Sequence, residues 1–249
     1  MIYDAEKKLI VLLPPKTGST SLRSLFISLV PAGTNQSEVP VGDRFLLSVW
    51  PTTSTTTAIV QGHIKYNEIL QVFPNINLDE YTIYGFYREP VARFMSAFKY
   101  LQQRLLIDLG VKVINGNIGD LKLIYKAIYN NDEAITQDKI EAITIDDIIS
   151  TIEKNVEAPI LDLFRPQTLY LTDKVTLLDF EDYENNVKML LEVFGYNMIF
   201  GHNIDISIPK HNDTNSANYL SDLTEEQVTK IKQIYKDDYE FFESRNITF

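Results

Sequence analysis

The sequence predicts an α/β fold built on a mainly parallel β-sheet with helices on both faces. Three observations carry this: apolar runs alternate with stretches of helical period, a turn separates each run from the helix after it, and the chemistry-bearing residues gather at those turns. The first run, Leu9–Leu13, is continuous in apolar residues, as a central parallel strand should be. Leu22, Leu25, Phe26 and Leu29 then recur at helical spacing. Between them Pro14-Pro15-Lys16-Thr17-Gly18-Ser19-Thr20-Ser21 forms a turn of low bulk, a layout suited to an anion. Gly18 permits close backbone approach, the hydroxyls and the helix N-terminus supply donors, and Lys16 supplies charge.

The stretch from Pro31 to Pro51, punctuated by Gly and Pro, reads as a loop or lid and leads into the Thr-rich Thr52–Thr57. Ala58–Gln61 is a short strand ending in Gly62-His63, and Tyr66, Ile69, Leu70 and Phe73 give a helix that stops at Pro74. Tyr81–Tyr87 is aromatic and β-branched enough for a third buried strand. Pro90 then opens a helix whose apolar face is Phe94, Ala97, Phe98, Leu101 and Leu105. A helical insertion is expected over about 110–155, with helices at Leu121–Ile128 and Ile140–Ile152. Thr168–Leu171 and Val175–Phe180 read as extended, Tyr183–Phe194 as a helix closed by Gly195, and Lys210–Tyr219 as a polar loop. The last helix carries a capping signature, Thr224 with Gln227, and runs to Phe242. At 249 residues the chain is expected to be a single domain over 1–249.

The charge balance limits the partners. With 23 Lys and Arg against 34 Asp and Glu, a net charge of −11 disfavours a broad nucleic-acid surface or an anionic membrane. An anionic ligand must be held by a local cluster. The first residues do not read as a signal peptide, no apolar stretch is long enough to span a bilayer, and cysteine is absent. A soluble cytoplasmic protein is therefore expected, without a thiolate metal site or a cysteine nucleophile.

Three strand ends present Lys16 with its Ser/Thr turn, His63, and Arg88, with Ser96 two turns into the following helix. The segment PPKTGSTSL resembles the 5′-phosphosulfate loop of sulfotransferases, and YREPVARFMSAF resembles their 3′-phosphate motif. GHIKY, followed by the strand and RxPxxRxxSxF, is similar to the carbohydrate O-sulfotransferases, the uronosyl 2-O type in particular; RPQTLYL resembles a further segment of that group. The likeness spans about Leu9 to Asp182 with gaps, extends weakly to Lys210–Tyr219 and does not cover the insertion. Ser19 stands where the family often has Thr or Gly, and Glu89 where it often has Asp or Asn.

The resemblance implies a P-loop-like fold and a donor, 3′-phosphoadenosine 5′-phosphosulfate (PAPS), that leaves as adenosine 3′,5′-bisphosphate. Such a donor has two anionic ends and needs two anion sites. Lys16, Thr17, Gly18, Ser19, Thr20 and Ser21 are expected at the 5′ end, and Arg88 with Ser96 at the 3′ phosphate. Lys16 would stabilise the leaving oxygen, His63 would take the acceptor's proton, and no metal is required. Arg93 suits either a structural pair or a ligand contact. The rival base is Glu38 or Asp43, because some sulfotransferases use a Glu shortly after the first helix. His211, with Lys210, Asn212 and Ser216, falls in a loop that resembles the Asn/Ser-containing late loop of sulfotransferases, which implies closure over the donor; a plain surface connection is the alternative.

The acceptor is expected to be a hydroxyl on a sugar, glycan or glycolipid. The acidic balance disfavours a polyanionic acceptor, although Lys65, Lys99, Arg104 and Arg165 could form a local basic cluster. Two other functions fit parts of the sequence. A nucleoside-triphosphate-dependent kinase or ATPase is opposed by the lack of GxxxxGK[ST], and a non-catalytic nucleotide-binding module would keep the site without the acceptor chemistry.

Overall fold

The computed structural model describes residues 1–29, 37–41, 44–51, 57–60, 63–115, 136–154, 159–196 and 221–249. They group into two compact units, Met1–Arg88 with Gln167–Asp213, and Glu89–Pro166 with Thr214–Phe249.

The first unit is a seven-stranded sheet in the order β3-β4-β5-β1-β2-β6-β7. Its strands are β1 (Ile2–Asp4), β2 (Leu9–Leu12), β3 (Ser37–Val41), β4 (Arg44–Pro51), β5 (Thr57–Val60), β6 (Thr82–Tyr87) and β7 (Val175–Asp179). The α/β class expected from the sequence is the one found. Parallel pairing runs through β2, β6 and β7, with Leu9 opposite Thr82 and Tyr87 opposite Asp179. The other half of the sheet is antiparallel, through the hairpin β1–β2 and the run β3–β4–β5–β1. Of these, β2 and β5 fall on the expected runs Leu9–Leu13 and Ala58–Gln61, whereas β1, β3 and β4 lie where no strand was expected. Residues 37–41 and 44–51 are a strand pair rather than a loop or lid: β3 pairs with β4, and β4 joins through β5 to β1 at the start of the chain, a ladder that local Gly and Pro content hides. β1 is only three residues long, and Asp4 turns the chain back by accepting bonds from the backbone N–H of Glu6 and Lys7.

Helices α1 (Ser19–Leu29) and α6 (Tyr183–Val193) cover one face of the parallel strands. Leu9, Val11, Leu13 and Phe86 from the sheet share a core with Leu22, Leu25 and Phe26 of α1 and with Val187, Leu190 and Leu191 of α6. The alternation along β2 is the reason: odd residues face these helices and even ones the opposite face. On that opposite face Gly85 matters for space. A Cβ there would sit 2.4 Å from Leu171 Cδ2 and 2.9 Å from Val175 Cγ1, so Leu171 seats against β6 only because residue 85 has no side chain.

Between β5 and β6 the expected helix is a 3₁₀ turn, Tyr66–Glu68, running into the four-residue α2 (Ile69–Val72). Residues 168–171 are likewise not extended: Gln167–Leu169 is a 3₁₀ turn.

The second unit is helical: α3 (Pro90–Asn115), α4 (Gln137–Glu141), α5 (Ile145–Glu153), α7 (Glu225–Ile234) and α8 (Lys236–Ser244). Phe94, Phe98 and Leu101 of α3 pack with Ile140, Ile148, Ile149, Ile231 and Tyr235. The helix expected over Ile140–Ile152 is two, since Thr144 caps a new start with Asp147 in a capping box. The capping box of Thr224 and Gln227 is present, and the helix expected to run to Phe242 breaks at Tyr235. Leu121–Ile128 lies outside the described residues. Among the described residues no helix is long and apolar enough to cross a membrane.

Candidate functional site

The first unit gathers Lys16, Gly18, His63 and Arg88 around the carboxyl ends of β2 and β6. After Leu13 the chain turns through Pro14 and Pro15, and Thr17 is buried with its hydroxyl donating to the Pro14 carbonyl at 2.8 Å. That bond closes the turn and engages the Thr17 hydroxyl within the loop. Lys16 adopts φ 66° and Gly18 φ 77°. The left-handed region is costly for a side chain such as lysine, and strained residues of this kind cluster where a function over-determines them. Ser19 and Ser21 are buried in the first turn of α1 and Thr20 is exposed.

Tyr183, at the start of α6, fixes Gly18 from the other side. Its hydroxyl donates to the Gly18 carbonyl at 2.9 Å, and a Cβ on Gly18 would lie 2.4 Å from the Tyr183 ring. Gly18→Ala therefore meets both a forbidden φ and a blocked volume. It is expected to lower stability by about 1–3 kcal/mol from the backbone strain alone, read as a reduced midpoint in thermal unfolding.

Arg88 follows the last residue of β6. It is buried, its guanidinium lies over the Phe180 ring at 4.5 Å, and its Nη1 donates to the Lys16 carbonyl at 3.4 Å. Burial, and then the Arg88 charge, push the Lys16 ammonium down to about 8. In a chain of net charge −11, a buried lysine further depressed by a neighbouring guanidinium suits an anion. The Arg88 backbone is held by Gln167, which accepts from its N–H at 2.9 Å and donates to its carbonyl at 2.8 Å.

His63 is half-buried, and its Nδ1 lies 2.7 Å from the Leu13 carbonyl. A carbonyl only accepts, so Nδ1 carries the proton and Nε2 is the proton-accepting nitrogen. Burial, followed by the charge of Arg23 and with a smaller part from Lys16, pushes the imidazole down to about 3. The ring is neutral at physiological pH.

The sequence model described as "Sulfotransferase family" matches residues 1–243. The chain belongs to the sulfotransferase family. No curated protein and no solved structure matches it. Membership establishes a sulfuryl-group transferase with a hydroxyl acceptor in general.

Within this sulfotransferase several expected residues belong to the second unit, have other partners or lie outside the described residues. Arg93 and Ser96 belong to the second unit and are buried on α3. Arg93 donates to the carbonyls of Leu163 (3.1 Å) and Arg165 (2.8 Å) and lies over the Tyr235 ring, which makes it a support of the helical core. Glu89 caps α3 through the Ala92 N–H and is bonded by the Tyr239 hydroxyl. Glu38 lies on β3, and Asp43, His202, His211 and the loop Lys210–Tyr219 lie outside the described residues. Lys65, Lys99 and Arg165 each pair with an acid, at Glu68, Asp222 and Asp162.

Sequence reasoning missed Gln167, Tyr183 and Arg23. Gln167 lies in RPQTLYL, whose likeness to the family was visible, and a buried amide there was the available signal. Nothing local marks Tyr183 or Arg23, because Tyr183 reaches Gly18 from a helix far along the chain and Arg23 acts on His63 through its charge.

Proposed function

We propose that this sulfotransferase moves a sulfuryl group from PAPS to a hydroxyl, in line, with His63 as base and Lys16 on the leaving oxygen. The observation that carries the reading is the loop at the end of β2. It combines the N-terminus of α1, a left-handed Lys16 and a second cation, Arg88, close enough to lower the lysine's pKa. The loop and Lys16 suit the phosphosulfate end of the donor, and Arg88 at the edge of the loop suits its second anionic end.

In the proposed reaction the acceptor oxygen forms a bond to sulfur as the bond from sulfur to the phosphate oxygen breaks. The acceptor's proton passes to His63 Nε2, and the charge left on the phosphate oxygen is met by the Lys16 ammonium and the loop N–H groups. Arg88 is assigned to the 3′ phosphate by its fork of donors, and Ser96 is assigned with it on the motif alone. A sugar, glycan or glycolipid remains the proposed acceptor.

Calorimetry with adenosine 3′,5′-bisphosphate tests the donor site. Binding is expected without magnesium and is expected to weaken as pH rises past about 8. Above that pH the free protein has lost the Lys16 proton, whereas the complex keeps it beside the anion, so each further unit lowers affinity up to about tenfold. Lys16→Ala removes that slope. Binding of ATP only with magnesium, and none of the bisphosphate, would overturn the reading in favour of a nucleotide kinase or ATPase.

A further inference from the structure

We propose that Gln167 is a positioning residue for Arg88, setting the guanidinium that the reading above assigns to the 3′ phosphate; the proposal rests on that reading. Gln167 is wholly buried (0 % exposed), and both polar atoms of its amide bond the backbone of Arg88, at 2.9 and 2.8 Å. The sheet register explains why a side chain does this. The last β6–β7 pair is Tyr87 with Asp179, and the Phe180 N–H closes onto the Tyr87 carbonyl, so Arg88 lies one residue beyond the ladder. Its buried N–H and C=O still need partners, and a primary amide offers one donor and one acceptor in the spacing of a peptide.

The backbone of Gln167 is itself anchored. Its main-chain carbonyl accepts from the N–H groups of Tyr170 (2.8 Å) and Leu171 (2.9 Å), and Leu171 seats in the space that Gly85 leaves on β6. The turn thus clasps the strand whose end carries Arg88. From that fixed backbone the Arg88 side chain runs over Phe180 to the Lys16 carbonyl. A guanidinium several bonds from its Cα inherits any rotation of the backbone, and a misplacement of about 1 Å at such a site can cost about a hundredfold.

The test reads the preference for adenosine 3′,5′-bisphosphate over adenosine 5′-phosphate by calorimetry, a ratio that isolates the 3′ phosphate. In Gln167→Met the preference is expected to fall tenfold or more while affinity for the 5′-phosphate stays within about twofold, and Gln167→Met combined with Arg88→Ala is expected to lose no more than Arg88→Ala alone. Gln167→Glu keeps the shape and the acceptor but presents an oxygen to the Arg88 carbonyl. Its preference is expected to be low at neutral pH and to recover as acidification restores an O–H donor, a recovery the wild type does not show. A folded Gln167→Met or Gln167→Glu with wild-type preference, beside an Arg88→Ala that has lost it, would overturn the positioning role alone. An Arg88→Ala that keeps the preference would overturn both the assignment of Arg88 and the role of Gln167.

Discussion

Lys16→Ala is expected to lower turnover by about 10²–10³-fold, the loss typical when one preorganised group facing developing charge is removed. The effect should fall mainly on kcat. In the proposed reaction charge on the leaving oxygen grows in the transition state, so an ammonium beside it would bind that state more strongly than the ground state. The substitution leaves the backbone demand at φ 66° unchanged, since alanine and lysine pay the same Cβ penalty. Lys16→Arg should recover part of the rate by restoring charge. A radiolabelled-donor assay with a panel of hydroxyl acceptors measures it, and wild-type turnover in Lys16→Ala would remove this residue from the mechanism.

His63→Asn is expected to lower turnover by about 10²–10⁴-fold with the fold intact. Asparagine can keep the N–H donor to the Leu13 carbonyl while deleting the proton acceptor at Nε2. With the imidazole pushed down to about 3, His63 by itself is a weak base. The donor's anionic groups would offset the cations that depress it, so its pKa should rise in the complex. The acid limb of kcat is therefore expected at higher pH than that of kcat/KM. Stability carries the same signature. The folded pKa lies below the ordinary value of 6.5, so the unfolded chain binds the proton first, and stability falls as pH drops from about 6.5 towards 3. Within that window the folding constant should change up to tenfold per pH unit from this group, a slope that His63→Asn abolishes in chemical denaturation. Equal slopes and equal turnover in the two proteins would refute both statements.

Much of the fold was legible because its signals are local. Leu9–Leu12, Thr82–Tyr87 and Val175–Asp179 are strands buried enough to read as apolar or β-branched runs, and α1, α3 and α6 begin close to where the spacing placed them. The helix breaks at Thr144 and Tyr235 were harder, since apolar period continues across both. Strands β3 and β4 were read as loop because Gly and Pro punctuate their stretch and its polarity is mixed, although β4 pairs with both of its chain neighbours. Only the bond of β5 to β1 comes from far along the chain, and it leaves no trace in a local window.

The site divides along the same line. The sequence by itself determined the loop chemistry of Lys16 to Ser21, the pairing of that loop with Arg88, and membership of the sulfotransferase family. These depend on residue type and on turns that a few neighbouring residues specify. Tertiary structure alone decided that the Thr17 hydroxyl closes the loop, that Nδ1 of His63 is bound to Leu13, and that Arg93 serves the helical core. It also decided that Gln167 completes the backbone of Arg88. Each of these is a buried polar group that must find a partner, and which partner it finds depends on what the fold brings alongside.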